Sequence, residues 1–259
     1  MIKAIILAAG RGERMRPLSD HCPKPLLKVG GQALIVWIIQ NLARAGLKDI
    51  VINHAWLGEQ FEQTLGDGSA WGVRLHYSAE SSALETAGGI THALPLLGQG
   101  VFLAVSADIY TDFNFSHLLT RATFVQASAV PLMHLVLVDN PDFHPHGDFY
   151  LLNGKVQPLN TADAIEHPEK TSPMQTYHKT CKLFSDQQTR SSLTYANIGL
   201  YDSRSFMHLD PNTPAKLAPL IHNTMAHQCV SGEYFQGVWH NIGNPRQLDA
   251  LNQTLLHQS

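Results

Sequence analysis

Residues 3–18 read KAIILAAGRGERMRPL. The first six form a short apolar, partly β-branched run, long enough for a buried strand and too short for a helix. A loop follows with Gly10 and Gly12 and with Arg11, Arg14 and Arg16. Small residues let backbone N–H groups come close to phosphate oxygens, and successive N–H groups form an anion-binding nest. Arginine adds fixed positive charge in a fork that matches phosphate. Met15 stands where the third glycine of GxGxxG would be, and GxxxxGK[ST] is absent. The dinucleotide fingerprint and the P-loop therefore both fail on the residues.

The pattern continues outward from this strand. Residues 33–45 (ALIVWIIQNLARA) predict a helix stopped by Gly46, with Trp37 and the isoleucines as core candidates. Strands are expected at 49–53, 73–77 and 101–105, with helices at 57–65 and 85–97 between them. Gly88 and Gly89 inside the last helix call for a reason. This alternation predicts a twisted, mostly parallel sheet with helices on both faces. After residue 128 the rhythm changes. Strands at 129–138 and 148–152 lack a long helix between them, and strand character returns at 194–201 and 238–242. Helices are expected at 217–227 and 246–257. Residues 157–192 are polar, with three prolines, and read as an insertion in one domain spanning 1–259. No internal repeat appears.

Composition narrows the function. The 259 residues are 44% hydrophobic and 15% charged, which excludes disorder of the whole chain. Eighteen Lys and Arg against 21 Asp and Glu leave a net charge of −3 with neutral His, which disfavours a nucleic-acid partner. Fifteen histidines make that balance sensitive to mild acid. Cys22, Cys181 and Cys229 are far apart and odd in number, as expected of reduced thiols. No apolar run approaches the ~20 residues of a membrane span, and the N-terminal run lacks the form of a signal peptide. A cytoplasmic protein with no membrane partner is expected.

Two further places carry chemistry. Lys24 sits between Pro23 and Pro25, on backbone that both prolines stiffen, and is either a point charge suited to phosphate or an exposed lysine of a proline turn. Ser106-Ala107-Asp108 closes the fourth strand of the alternation. Ligands of open α/β sheets gather at such strand ends, and a carboxylate there can hold Mg²⁺ against nucleotide phosphates or merely cap the next turn. His144-Pro145-His146-Gly147-Asp148 has metal-ligating residue types without a zinc spacing and reads as a surface loop.

LAAGRGERMRPLS, PKPLLKVGGQALI, NHAW, LETAGG and the strand-end Asp108 together resemble the sugar-phosphate nucleotidyltransferases. INHAWLGEQ, LGDGSAWG, ALPLLG, HLVLVDNP, HGDF and KLAPL resemble the branch that uridylylates N-acetylmuramate 1-phosphate. The resemblance spans nearly the whole chain outside 157–192. It implies a GT-A-like fold, with UTP and a sugar 1-phosphate as partners and Mg²⁺ as cofactor. It implies that Ala8, Ala9, Gly10, Arg11, Gly12, Glu13 and Arg14 wrap the triphosphate, with Lys24 at the α-phosphate. Glu85, Thr86, Gly88 and Gly89 would line the base and sugar site, Ser106 would adjoin the nucleotide, and Asp108 would hold Mg²⁺. Asp148 and Asn197 would touch the sugar phosphate.

The chain departs from the family pattern at two positions. Ala107 replaces a usual glycine before the metal aspartate. Asn241 in WHNIGN stands where a second metal aspartate is usual, and an amide oxygen brings no charge. Alternatives remain open at this point: mannose 1-phosphate guanylyltransferase or another acceptor, a glycosyltransferase, or a nucleotide-sugar binding protein without turnover.

Overall fold

In the computed structural model residues 2–159 and 191–256 are described. Strand β1 (Lys3–Leu7) lies inside a nine-stranded sheet. It pairs in parallel with β4 (Asp49–His54) on one side and β6 (Val101–Ser106) on the other, and β5 (Arg74–Ala79) adds in parallel beyond β4. The alternating side chains of β1 serve two cores. Ala4 and Ile6 pack with α1 (Leu34–Arg44), α2 (Glu59–Leu65) and α4 (Ser116–Gln126), whereas Ile5 packs with α3 (Glu85–Leu97) and α5 (Leu217–Ala226). Burial on both faces explains why β1 reads as a continuous apolar run instead of an alternating one.

α1 shows how sequence ends an element. Leu34, Ile35, Ile38, Ile39 and Leu42 make its buried stripe. Gly46 at φ +93° then lets Gly46 N–H donate to Ala43 O (3.0 Å) and Leu47 N–H to Leu42 O (3.0 Å). This Schellman pair satisfies carbonyls that the helix end would leave open.

The rest of the sheet is mixed. β11 (Thr194–Asp202) runs antiparallel between β6 and β8 (Met133–Val138), and β12 (Val230–Tyr234) runs parallel to β8. The hairpin of β9 (Phe149–Leu152) and β10 (Lys155–Pro158) closes that edge. Only β10 and β11 run against the common direction, so the sheet is mostly parallel. Two small ribbons lie outside it: β2 (Lys28–Val29) with β3 (Gln32–Ala33), and β7 (Ile109–Thr111) with β13 (Trp239–Asn241). Helix α6 (Pro245–Leu256) packs Leu248 and Leu251 against Met15, Val29 and Leu34.

Several boundaries differ from the sequence expectation. The strand expected from 129 begins at Met133, because Arg204 claims the carbonyls of Ser128 and Ala129 and Pro131 has no N–H to give. The helix expected from Leu57 begins at Glu59, since Leu57 has φ +51°. Gln157 and Pro158, placed in the polar insertion, belong to β10, and residues 160–190 of that insertion lie outside the described residues. Cys22 and Cys229 are free thiols, and Cys181 lies in the same undescribed stretch.

Candidate active site

The sheet order β5-β4-β1-β6 makes β1 a switch point: the chain leaves it for β4 on one side and returns to β6 on the other. The loops after β1 and β6 diverge there, opening a crevice at the carboxyl ends of the strands. A cavity of about 750 Å³ occupies it, lined by Ala8, Ala9 and Gly10 from one loop and by Ser106, Ala107 and Asp108 from the other. Ala107 N–H donates to Leu7 O (2.9 Å), which ties the two strand ends together.

Lys24 reaches this crevice because of its prolines. Lys24–Leu26 forms a short 3-10 helix, with Leu26 N–H donating to Pro23 O (2.8 Å) and Leu27 N–H to Lys24 O (3.1 Å), and burial of Pro25 and Leu26 turns the lysine side chain inward. Its Nζ donates to Asp108 Oδ2 at 2.5 Å, while Ser106 Oγ donates to Asp108 Oδ1 at 2.7 Å. The two charged side chains are only 14% and 21% exposed, so the pair is largely shielded from water.

The arginine loop is ordered by its own contacts. Gly12 takes φ +69°, and Ser19 Oγ donates to its carbonyl at 2.7 Å. Arg11 donates to Ser19 O (2.8 Å) and Asp20 Oδ1 (3.0 Å) and stacks 3.6 Å over the Trp56 ring. Glu13 pairs with Arg11 and Arg16. Arg14 is exposed, and its guanidinium lies against Gly243, where an added Cβ would meet Nη2 at 3.3 Å. Thus Ala8, Ala9 and Gly10 line the cavity, while Arg11, Gly12, Glu13 and Arg14, expected to wrap a triphosphate, do not.

A second wall comes from β4, β5 and α3. Ala8 N–H donates to Asn53 Oδ1 (2.8 Å), Asn53 Nδ2 donates to Glu80 Oε1 (2.6 Å), and Leu84 N–H donates to Glu80 Oε2 (2.8 Å). Glu80 is 5% exposed, and burial raises its carboxyl above the usual carboxylate range. The paired glycines serve this wall. A Cβ on Gly89 would sit 2.6 Å from Asn53 Nδ2 and 2.7 Å from Glu80 Oε1. Gly88 faces away from the cavity: its N–H donates to Ala215 O (3.0 Å), and a Cβ there would meet Thr213 O at 2.8 Å. Glu85 and Thr86 do line the cavity, Glu85 with φ +59°.

The far wall is assembled from β9, β11 and α5. Asp148 Oδ2 accepts from Tyr195 N–H (2.8 Å), and His144 Nε2 lies 3.0 Å from Asp148 Oδ1. The HPHGD stretch is thus an orienting loop for Asp148. Asn197 has φ +58° at the point where the β11–β8 register shifts, which turns it out of the ladder and into the cavity. Left-handed non-glycine residues are uncommon and gather at functional sites; here Glu85 and Asn197 face one cavity. Asn241 also lines it: β13 pairs with β7, and Ile242 N–H donates to Asp108 O (2.8 Å), which sets Asn241 beside Asp108 across the ribbon. Sequence reasoning missed the roles of Asn53, Glu80, Tyr195 and Lys216. KLAPL was the only trace of Lys216 and NHAW the only trace of Asn53, while Glu80 gave no local signal because its partner lies on the neighbouring strand.

A mostly parallel sheet whose switch point joins a glycine loop to a lysine–aspartate pair defines an α/β protein with a ligand crevice at its strand ends, and the family model "Nucleotidyl transferase" matches residues 3–258. The chain belongs to that family. It is 44% identical over 93% of its length to the N-acetylmuramate alpha-1-phosphate uridylyltransferase of Neisseria meningitidis serogroup B, covering 93% of that protein. It is 31% identical to the protein of the same name from Caulobacter vibrioides, over 94% of this chain and 92% of that one. A solved structure from Bacillus anthracis, described as a glucose-1-phosphate thymidylyltransferase, superposes with a TM-score of 0.76 at 18% identity, covering 98% of this chain and 95% of the other, and shares its fold. Among the described residues no helix is long and apolar enough to cross a membrane.

Proposed function

We propose that the protein transfers UMP from UTP to N-acetylmuramate 1-phosphate, giving UDP-N-acetylmuramate and pyrophosphate. The observation that carries transfer chemistry is the Lys24–Asp108 pair beneath the Ala8–Gly10 backbone. The relatives at 44% and 31% identity carry the choice of base and acceptor. A phosphate oxygen of the acceptor attacks the α-phosphorus of UTP in line, and the bond from that phosphorus to the bridging oxygen of the leaving pyrophosphate breaks. The acceptor phosphate is already ionised, so no strong base has to remove a proton. The chain's task is positioning and neutralisation of charge. Lys24 exchanges Asp108 for the α-phosphate. The Ala8–Gly10 backbone cradles the triphosphate, with Arg14 at its outer edge. Asp148 and Asn197 orient the acceptor.

The donor set fits Mg²⁺. No group of three His, Cys, Asp or Glu side chains suited to a metal occurs among the described residues, so the protein offers one carboxylate, Asp108, with the Asn241 amide oxygen next to it. Mg²⁺ takes one or two such ligands and completes its shell with water and phosphate oxygens. Asp108 and Asn241 would hold it, and it would supply charge neutralisation on the triphosphate. The reading places the enzyme in the cytoplasm, in the re-use of cell-wall sugar.

Pyrophosphate release with four nucleoside triphosphates, each against N-acetylmuramate, mannose and glucose 1-phosphates, tests the proposal. UTP with N-acetylmuramate 1-phosphate is expected to lead. A preference for GTP with mannose 1-phosphate would overturn it, and ligand binding without turnover would favour a binding protein.

A further inference from the structure

The carboxylates lining the cavity are Glu85, Asp108 and Asp148, and the ammonium groups are Lys24 and Lys216. Lys24 is engaged by Asp108, and His144 faces Asp148. Among the described residues the Lys216 side chain makes no hydrogen bond or ion pair. Its root is held firmly nonetheless. The preceding Ala215 donates its N–H to Leu84 O (3.0 Å), and its carbonyl accepts from Ala87 N–H (2.8 Å) and Gly88 N–H (3.0 Å). This double tie fixes where Lys216 enters the cavity, beside Glu85, while its long side chain stays uncommitted. The first turn of α5 then carries Leu217, Ala218 and Ile221 along the same cavity toward Phe149, an apolar floor between the two walls.

The uridylyltransferase reading gives this lysine a task, and the inference rests on that reading. N-acetylmuramate is N-acetylglucosamine with a lactyl ether, whose carboxylate is ionised at neutral pH. A carboxylate entering a cavity that already holds three acidic side chains is repelled unless a cation meets it. In that reading Lys24 serves the triphosphate, and the arginines do not line the cavity. We propose that the Lys216 ammonium pairs with the lactyl carboxylate of the acceptor, and so selects N-acetylmuramate 1-phosphate over N-acetylglucosamine 1-phosphate. The lactyl methyl group then lies on the apolar first turn of α5.

Steady-state kinetics of wild type, Lys216→Met and Lys216→Arg test this, with UTP and with both sugar 1-phosphates as substrates or competitive inhibitors. Lys216→Met is expected to weaken kcat/KM for N-acetylmuramate 1-phosphate by about tenfold or more, chiefly through KM, as for a lost charge-assisted contact. The loss is confined to the carboxylate-bearing acceptor, KM for UTP is retained, and Lys216→Arg recovers most of it. An equal loss with both sugars, or a raised KM for UTP, overturns the assignment and gives the lysine to a phosphate. Wild type that favours N-acetylmuramate 1-phosphate while Lys216→Met keeps the same preference overturns this inference alone. Wild type that rejects N-acetylmuramate 1-phosphate overturns the functional reading, and this one with it.

Discussion

The β1–β6 wall of the cavity and the β9–β11–α5 wall are built by different means. The first takes its groups from strand ends that point the same way, so that Ala8–Gly10 and Ser106–Asp108 arrive side by side through ordinary parallel register. The second takes them from an antiparallel insertion, a register shift and a helix start. It needs Asn197 at φ +58° and an Asp148 carboxylate held by the Tyr195 N–H. In the proposed reading, parallel strand ends present the phosphate site as a by-product of the fold, whereas the acceptor site is made by local departures from regular structure. A fold can keep the first and vary the second.

The largest expected effect falls on the first wall. Lys24→Ala and Arg14→Ala should each lower kcat/KM by roughly 10²-fold or more, as removal of one preorganised charge at a reacting phosphate does. Unchanged turnover in both would mean that the regular strand ends are not the phosphate site. Arg14 sharpens the test, because it lies outside the cavity against Gly243 and acts only if the bound triphosphate extends that far. Gly89→Ala should come next. Its Cβ would overlap the Asn53–Glu80 hydrogen bond, and thermal or urea unfolding should show a loss of about 1–3 kcal/mol. A stable variant would show that the second strand-end wall can yield.

Buried histidines in the two halves answer acid in the same way. His134 of β8 is fully buried, and desolvation lowers its pKa from 6.5; His54 of β4 is 6% exposed and is lowered for the same reason. The unfolded chain takes up protons near pH 6.5 that the folded rings refuse. Stability is therefore full above that pH and falls below it, by at most about 1.4 kcal/mol per pH unit for each ring. Unfolding of His134→Gln and His54→Gln between pH 5 and 8 should show a flatter acid limb in each. Parallel limbs in wild type and both variants would reject the assignment. The smallest effect concerns Asn241→Asp, which adds a charge beside Asp108. It should lower the Mg²⁺ concentration giving half-maximal activity at fixed UTP, and superimposable titrations would remove Asn241 from the metal site.

Legibility in the sequence followed the same division. β1, β4, α3 and β6 could be read from apolar runs and glycine stops, and Lys24 from its flanking prolines, because each signal lies within a few residues of its effect. The sheet order past β6 could not. β12 reads VSGEY, too polar to announce a strand that is held by β8 and by Gly232 N–H to Gly154 O. α4 reads SHLLTRATFVQ, whose threonines and aromatic favour helix weakly, and it is helical because Leu118, Ala122 and Val125 dock on the sheet. Gly88 and Gly89 announced a close approach without saying to what. The structure supplies protein neighbours at both, Ala215 for one and the Asn53–Glu80 pair for the other.

The packing of α6 bears on how the molecule comes into being. Gly30 N–H donates to Asn252 Oδ1 (2.9 Å), a partner 222 residues further along, and Met15 at the base of the arginine loop is roofed by Ile242, Leu248 and Leu251. A ribosome makes the loop early and its roof late. Until α6 emerges, Met15, Val29 and Leu34 lack the cover of Leu248 and Leu251, while the parallel strands can already form. The loop after β1 is thus synthesised well before the helix that roofs it, and a nascent chain completes that packing only once α6 has emerged.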